Sequence, residues 1–142
     1  MSALTLDHAR SILTAALGHA HANNMNKLAI AVLDARGALK IFAAEDGTSL
    51  KRGEIALGKA NGALAMGMGS RALFNRAQQQ PYFIAAVGPA VGGLIPVPGG
   101  VLVKDASGAI LGAVGISGDT SDNDEACALA GIAAVGLVAD PG

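Results

Sequence analysis

A chain of 142 residues and 14.0 kDa fits one domain, residues 1–142, and is long enough to bury a core without disulfides or metals. Its net charge of -1, with Lys and Arg scattered rather than striped, excludes the electrostatic footprint of a nucleic-acid binder. Hydrophobic residues reach 51% but aromatics only 3%, and with 20 glycines the core has to be assembled from small and β-branched side chains in close approach, a composition that also favours subunit association.

In chain order the first predicted element is a helix from Thr5 to Ala22, with Thr5 as N-cap, Asp7 placed for the dipole and an apolar stripe of Ala9, Ile12, Leu13, Ala16, Leu17 and Ala20. Asn23-Asn24 stops it. Lys27 to Asp34 and Ala38 to Ala44 read as antiparallel strands joined through Ala35-Arg36-Gly37, where glycine supplies the positive φ of a tight turn. Leu50 to Gly67 follows as a helix laden with Gly53, Gly58, Gly62 and Gly67. Each costs about 1 kcal/mol against alanine, so the helix is expected to lie against another backbone, of the sheet or of a second subunit.

Ser70 to Gln80 is polar and partly helical, and Gln78-Gln79-Gln80-Pro81 ends it. Pro89 to Gly100 reads as a loop. Strands Val101 to Lys104 and Ala109 to Ser117 then flank the turn Asp105-Ala106-Ser107-Gly108, a repeat of the turn chemistry at 34–37. A helix from Asp122 to Val138 closes the chain, with Asp122 and Glu125 spaced as a variant capping box. Helix, hairpin, helix, loop, hairpin, helix is an α+β order with an antiparallel sheet, and no phosphate-binding or dinucleotide-binding glycine loop interrupts it.

Cys127, the only cysteine, excludes an internal disulfide and a multi-thiolate metal site; among alanines on a helix it reads as a small buried hydrophobe rather than a catalytic thiol. No apolar run approaches the ~20 residues of a membrane span. The start, Met1 to His8, lacks the basic and apolar regions of a secretion signal, so a soluble cytoplasmic protein without a membrane partner is expected.

The junction Gly108 to Asp119, running into Asp122-Asn123-Asp124-Glu125, is the expected ligand site. Glycines 112, 115 and 118 admit a backbone or a flat ligand, and a helix starting near Asp122 aims its free N–H groups there. Lys59, between Ile55 and Ala63, reaches toward Gly115 to Ser117 either as a base or, more simply, as the partner of an acid. Arg71 is placed to grip a carboxylate or phosphate with its planar fork. Arg71, Gly99, Gly100, Gly115, Ser117, Asp124 and Glu125 are thus the candidate ligand-binding residues, and Lys59 and Glu54 the candidate catalytic ones.

The blocks LAIAVLDARGALKIFAAEDG, IALGKANGALAMG, Ser70-Arg71-Ala72-Leu73, Pro98-Gly99-Gly100-Val101 and ILGAVGISGDTSDNDEACALAGI, in this order over nearly the whole chain, resemble the GlcG/HbpS-like family, whose domain also forms the C-terminal part of PduO proteins. The resemblance implies a profilin-like domain with a central antiparallel sheet of about five strands flanked by helices. It also implies dimers or larger homo-oligomers and, in some members, bound haem. Three positions depart from the family's habit. Glu45 stands where an Arg usually precedes Asp46-Gly47, the loop's proline moves to Pro96 and Pro98 ahead of Gly99-Gly100-Val101-Leu102, and Gly62 replaces the Thr that follows Lys59-Ala60.

Haem directs attention to the histidines. His8 and His19 share a helix face but lie ~16 Å apart at 1.5 Å per residue, so one chain cannot ligate one iron with both. His19 and His21 point to opposite sides. Either is a dipole partner at the helix end or an axial ligand that meets its copy across a dimer axis. The expected functions are a small-molecule protein that binds haem or a corrinoid, an isomerase, hydratase or lyase on a small carboxylated metabolite with Lys59 or Glu54 as base and Arg71 as anchor, or a purely structural oligomer.

Overall fold

The computed structural model describes residues 3–142, so Met1 and Ser2 of the start read above lie outside the described residues. Helix α1 (Leu6–Ala22) leads into β1 (Ala29–Asp34) and β2 (Leu39–Ala44), then α2 (Arg52–Met66), α3 (Ser70–Gln79) and α4 (Pro81–Val91). Strands β3 (Gly100–Lys104) and β4 (Ile110–Ser117), helix α5 (Ser121–Ala134) and β5 (Val138–Asp140) complete the chain. The sheet is antiparallel throughout, in the order β2-β1-β4-β3-β5, with bulges between Val32 and Leu33 and between Val103 and Lys104.

The alternation of β1 and β4 is two-sided because both strands are covered on both faces. Ile30, Val32, Val101, Val114 and Ile116 turn to one face and meet Ile12 and Ala16 of α1 and Cys127, Ala128 and Ile132 of α5. Leu33, Leu102 and Ala113 turn to the other and meet Ala60 and Ala63 of α2. Small residues set how closely α2 approaches. A Cβ on Gly115 would lie 1.9 Å from the Ala56 oxygen, and one on Gly100 2.3 Å from the Lys59 oxygen, so the helix backbone rests directly on the strands. The glycines of α2 itself mostly receive side chains rather than a second backbone, Gly53 taking Phe42, Gly58 Ile95 and Gly62 Leu94.

Both hairpin turns use one device. Asp34 Oδ1 accepts the N–H groups of Arg36 and Ala38, and Asp105 Oδ1 those of Ser107 and Ala109, while Gly37 and Gly108 take φ of +82° and +89°. At Asp34 burial opposes ionisation, but the Ala38 and Arg36 amides and the Arg36 charge override it and hold the carboxyl below 3.8. At Asp105 the Ser107 hydroxyl and the Ala109 amide do the same. With folded values depressed, these carboxylates stabilise the fold above their unfolded value of 3.8 and lose that contribution as pH falls through the folded values. Urea midpoints measured from pH 6 down to about pH 2 are therefore expected to hold and then fall, and Asp105→Ala is expected to flatten part of that fall.

The predicted elements need four corrections. Pro81 does not merely end a helix: it occupies the first turn of α4, where its missing N–H costs nothing, and the helix runs through Pro89 to Val91, so the loop begins only at Gly92. The last helix stops at Ala134 rather than Val138, because Val135 caps it and Gly136, at φ +71°, turns the chain into β5. Edge strand β5, three residues paired to β3, has no length for alternation to be legible. The N-cap of α5 is Thr120, whose hydroxyl accepts the Asn123 N–H, not an Asp122–Glu125 box.

Candidate functional site

A buried ion pair stands where α2, the start of β3, the end of β4 and α5 converge. Lys59, fixed by the close seating of α2, donates from Nζ to the Ile116 carbonyl at 2.8 Å and to Asp124 Oδ2 at 3.1 Å, and both side chains are 2% exposed. Asp124 reaches it from the first turn of α5, and its Oδ1 accepts the Asp119 N–H at 2.9 Å. Burial pushes Lys59 below its ordinary value against the pull of Asp124, and burial raises Asp124 against the pull of Lys59. Each partner thus resists its charge, and only the other keeps the pair ionised.

Gly99 and Gly100 wall this pair. A Cβ at Gly99, already at φ +124°, would sit 2.8 Å from both Lys59 Nζ and the Ile116 oxygen, and the Gly100 N–H donates to buried Ser70 Oγ at 2.7 Å. Ser117 is fully buried beside them and accepts from Arg52 Nη1 at 3.2 Å. The structure therefore gathers Lys59, Gly99, Gly100, Gly115, Ser117 and Asp124 at one place, but as a closed cluster. The glycines of the junction are filled by the protein's own backbone, Gly112 by the Leu33 oxygen, Gly115 by that of Ala56 and Gly118 by that of Lys27. No flat ligand enters there, and the start of α5 is answered by Thr120 and Asp124.

Arg71 and Glu125 lie at the rim. Arg71 Nε donates to Glu125 Oε2 at 2.9 Å and Nη2 to Asp122 Oδ1 at 2.5 Å, so two carboxylates already neutralise the guanidinium. Beside it a groove of about 320 Å³ is lined by Phe74, Val97 and Pro98. Glu54 is not with Lys59. It is exposed, pairs with Lys51 at 3.2 Å and edges a second groove. That groove, about 440 Å³, is lined by Leu33, Leu39, Leu57, Gly58, Gly92 and Gly93 among others, between the first hairpin and α2.

The histidines sit on the opposite face of the sheet. His8 Nδ1 accepts the Thr5 N–H in a capping box. His21 Nε2 meets Glu45 Oε2 at 2.8 Å, and Glu45 Oε1 accepts the Leu28 N–H. The acid that replaces the family's usual Arg is thereby tied to the end of α1. His19 is half-buried, with no hydrogen bond to its ring among the described residues. Cys127 packs at 3.4 Å from Met25 Sδ, and burial, with the charges of Asp124, Asp119 and Glu45, pushes its thiol up to about 12, far from a reactive thiolate. Arg52 is the side chain that sequence reading passed over. A signal for it existed: no acid stands three or four residues from it on either side, and the nearest acid of the helix, Glu54, is taken by Lys51.

A family model described as haem degrading protein HbpS-like matches residues 4–133. The chain belongs to the HbpS-like family. Among solved structures, that of HbpS superposes with a TM-score of 0.81 at 28% identity, covering 94% of this chain and 90% of that one. A PduOC–heme complex gives 0.86 at 24% identity, with 96% and 98% covered. Protein ORFY of Klebsiella pneumoniae gives 0.82 at 22%, with 94% and 91% covered. These likenesses carry the HbpS-like fold, five helices around a five-stranded antiparallel sheet. No curated protein sequence matches the chain. No helix among the described residues is long and apolar enough to cross a membrane.

Proposed function

We propose that this HbpS-like chain binds a planar tetrapyrrole, haem in the first instance, in the groove between the first hairpin and α2. The observation that carries the reading is the groove itself, in a chain of this family: aliphatic walls from Leu33, Leu39 and Leu57, with Gly92 and Gly93 adding no side chain, leave apolar surface for a macrocycle, and Glu54 and Asn61 stand beside it. The solved complex of PduOC with heme, on the same fold, supports haem; nothing in the comparisons supports a corrinoid.

The residues fit the macrocycle more fully than the iron. Among the described residues no His, Cys, Met or Tyr lines the groove, and Asn61 Nδ2 is engaged by the Val91 and Gly93 carbonyls. His19 and His21 lie across the sheet, so an imidazole ligand comes from a second copy. His19, whose ring makes no hydrogen bond among the described residues, is the better placed of the two, because His21 is held by Glu45. Bound haem would supply redox-active iron, while the chain's own residues bury the ring and exclude water from its faces.

Self-association belongs to the same reading. Helix α4 is apolar and none of its residues is buried, although Ala85, Ala86 and Ala90 would let another surface approach closely. Ala86→Arg is expected to shift the protein toward monomer in sedimentation velocity without changing its circular dichroism; an unchanged assembly would remove α4 from the interface.

Absorbance titration of the purified protein with haem tests the function. A saturable Soret band is expected, weakened at least about tenfold by Leu39→Arg, which fills the groove from an exposed position, and altered in shape by His19→Ala but not His8→Ala. A linear, non-saturating response would exclude the tetrapyrrole. An enzyme using Lys59 as base is not favoured by any observation, since its ammonium is walled from solvent.

A further inference from the structure

Six of the ten Lys and Arg side chains lie within ion-pair distance of a carboxylate: Arg10, Arg36, Lys51, Lys59, Arg71 and Lys104. Of the four that do not, Arg76 is stacked 3.9 Å over the Phe83 ring and Lys40 lies along β2. The remaining two, Lys27 and Arg52, line the same cleft, a space of about 290 Å³ between the end of the first hairpin, the start of α2 and Gly118.

No carboxylate lines that cleft. Three acids stand in the loops around it: Asp46, beside Gly47, is exposed and outside the lining, and the other two are turned elsewhere. Glu45 gives its oxygens to His21 and the Leu28 N–H, and Asp119 gives Oδ1 to the Asn26 N–H and Oδ2 to the Thr120 N–H and the Asn123 amide. Five donor-bearing side chains line the space, of which Thr48 spends its hydroxyl on the Leu28 and Glu45 carbonyls. Asn26 and Ser49 make no side-chain hydrogen bond among the described residues, Lys27 is exposed, and Arg52 spends only Nη1, on buried Ser117. That last contact fixes one arm of a half-buried guanidinium and leaves the rest of its fork open.

We infer that this cleft is a binding site for a small oxyanion, a carboxylate or phosphate group, held by Arg52 and Lys27 with Asn26 and Ser49 as neutral donors. A planar guanidinium anchored at one end meets two oxygens at once, and a lining without a carboxylate leaves that charge for a ligand to complete, Glu45 acting on Lys27 only from beyond ion-pair distance. Arg52 also adds to the burial that holds Lys59 below its ordinary value, a like-charge cost that a bound anion relieves. The anchor that sequence reading placed at Arg71 thus falls to Arg52, because Arg71 has two carboxylates of its own and Arg52 has none.

The test uses the protein without haem, so it does not depend on the tetrapyrrole reading. Amide chemical shifts of the ¹⁵N-labelled protein are followed during titration with sodium phosphate and, separately, sodium malonate, each against sodium chloride at matched ionic strength. Saturable shifts are expected at Lys27, Gly47, Ser49 and Gly118, with the tighter of the two salts naming the preferred anion. Arg52→Gln is expected to weaken binding at least about tenfold and Lys27→Gln by several-fold, whereas Lys40→Gln, which removes the same charge outside the cleft, leaves it unchanged. Arg52→Lys, which keeps the charge and loses the fork, separates bidentate capture from simple attraction and is expected to fall between wild type and Arg52→Gln. Shifts that stay linear for both salts, or an affinity equally reduced by Lys40→Gln and by Lys27→Gln, would overturn the site. If Arg52→Gln fails to fold, the Lys27→Gln and Lys40→Gln comparison decides alone.

Discussion

Lys59→Met is expected to lower the unfolding free energy by about 3–5 kcal/mol at neutral pH, because it strands Asp124 as a buried carboxylate without its cation. The side chains are 2% exposed, so water does not replace the lost partner. The pH dependence gives this prediction a specific sign. Burial already raises Asp124 above 3.8 in the folded protein, and without Lys59 it rises further. A raised folded value means that the folded state holds the proton more tightly. Its contribution is complete below the unfolded value and is lost as pH rises through the folded one. Urea unfolding of Lys59→Met is therefore expected to show a smaller deficit at pH 5 than at pH 7. Adding Asp124→Asn, which is neutral and keeps an acceptor for the Asp119 N–H, is expected to recover most of the loss. A deficit that is independent of pH and unaltered by the second substitution would mean that the Lys59 stem, not the ion pair, stabilises this corner.

The second large effect is expected at Gly115. An alanine methyl there would stand 1.9 Å from the Ala56 carbonyl oxygen and 3.0 Å from the Ala60 Cβ, in the middle of a sheet strand facing a helix backbone. A flexible side chain could turn away, but a carbonyl in a helix cannot move without carrying α2 and Lys59 with it. Gly115→Ala is expected to cost at least about 3 kcal/mol, at the upper end of overpacking effects. Gly108→Ala provides the contrast. Nothing lies within 4 Å of its added Cβ, and only its φ of +89° is strained, so a loss of about 1–2 kcal/mol is expected. Thermal unfolding of the two variants distinguishes the cases: equal losses would show that α2 shifts freely and that the close seating of Lys59 is not fixed by the strand.

The elements that announced themselves in the sequence are those whose local chemistry agrees with their tertiary setting. The first helix has a cap, a stripe and a stop within its own residues, and both hairpins carry Asp and Gly at the positions their turns require. Helix α4 was hidden because its two prolines read as loop signals, although Pro81 sits in the first turn and Pro89 in the last, and because an apolar helix with no buried residue has no periodic stripe. Strand β5 was hidden because three residues at a sheet edge take their conformation from β3.

The candidate site divides in the same way. Spacing on a helix and the glycine pattern of β4 placed Lys59 near Ser117, and the acids of the last helix near both. Which acid answers which base was not legible, because Asp122, Asp124 and Glu125 fall within a single helical turn and only their rotation about α5 distinguishes them. That rotation buries Asp124 against Lys59 and leaves Asp122 and Glu125 to Arg71. By itself, then, the sequence determined the α+β order, the hairpin turns, the crowded glycine contacts and membership in the HbpS-like family, since these depend on residue type at short spacing. Only the tertiary structure decided that the glycine junction is filled by backbone, that Arg71 is neutralised while Arg52 is not, and that the histidines and the apolar groove lie on opposite faces. Those facts depend on which groups meet across more than 50 residues of chain, as in the 51-residue separation of Arg71 and Asp122 and the 65-residue separation of Lys59 and Asp124, and spacing carries no information about that.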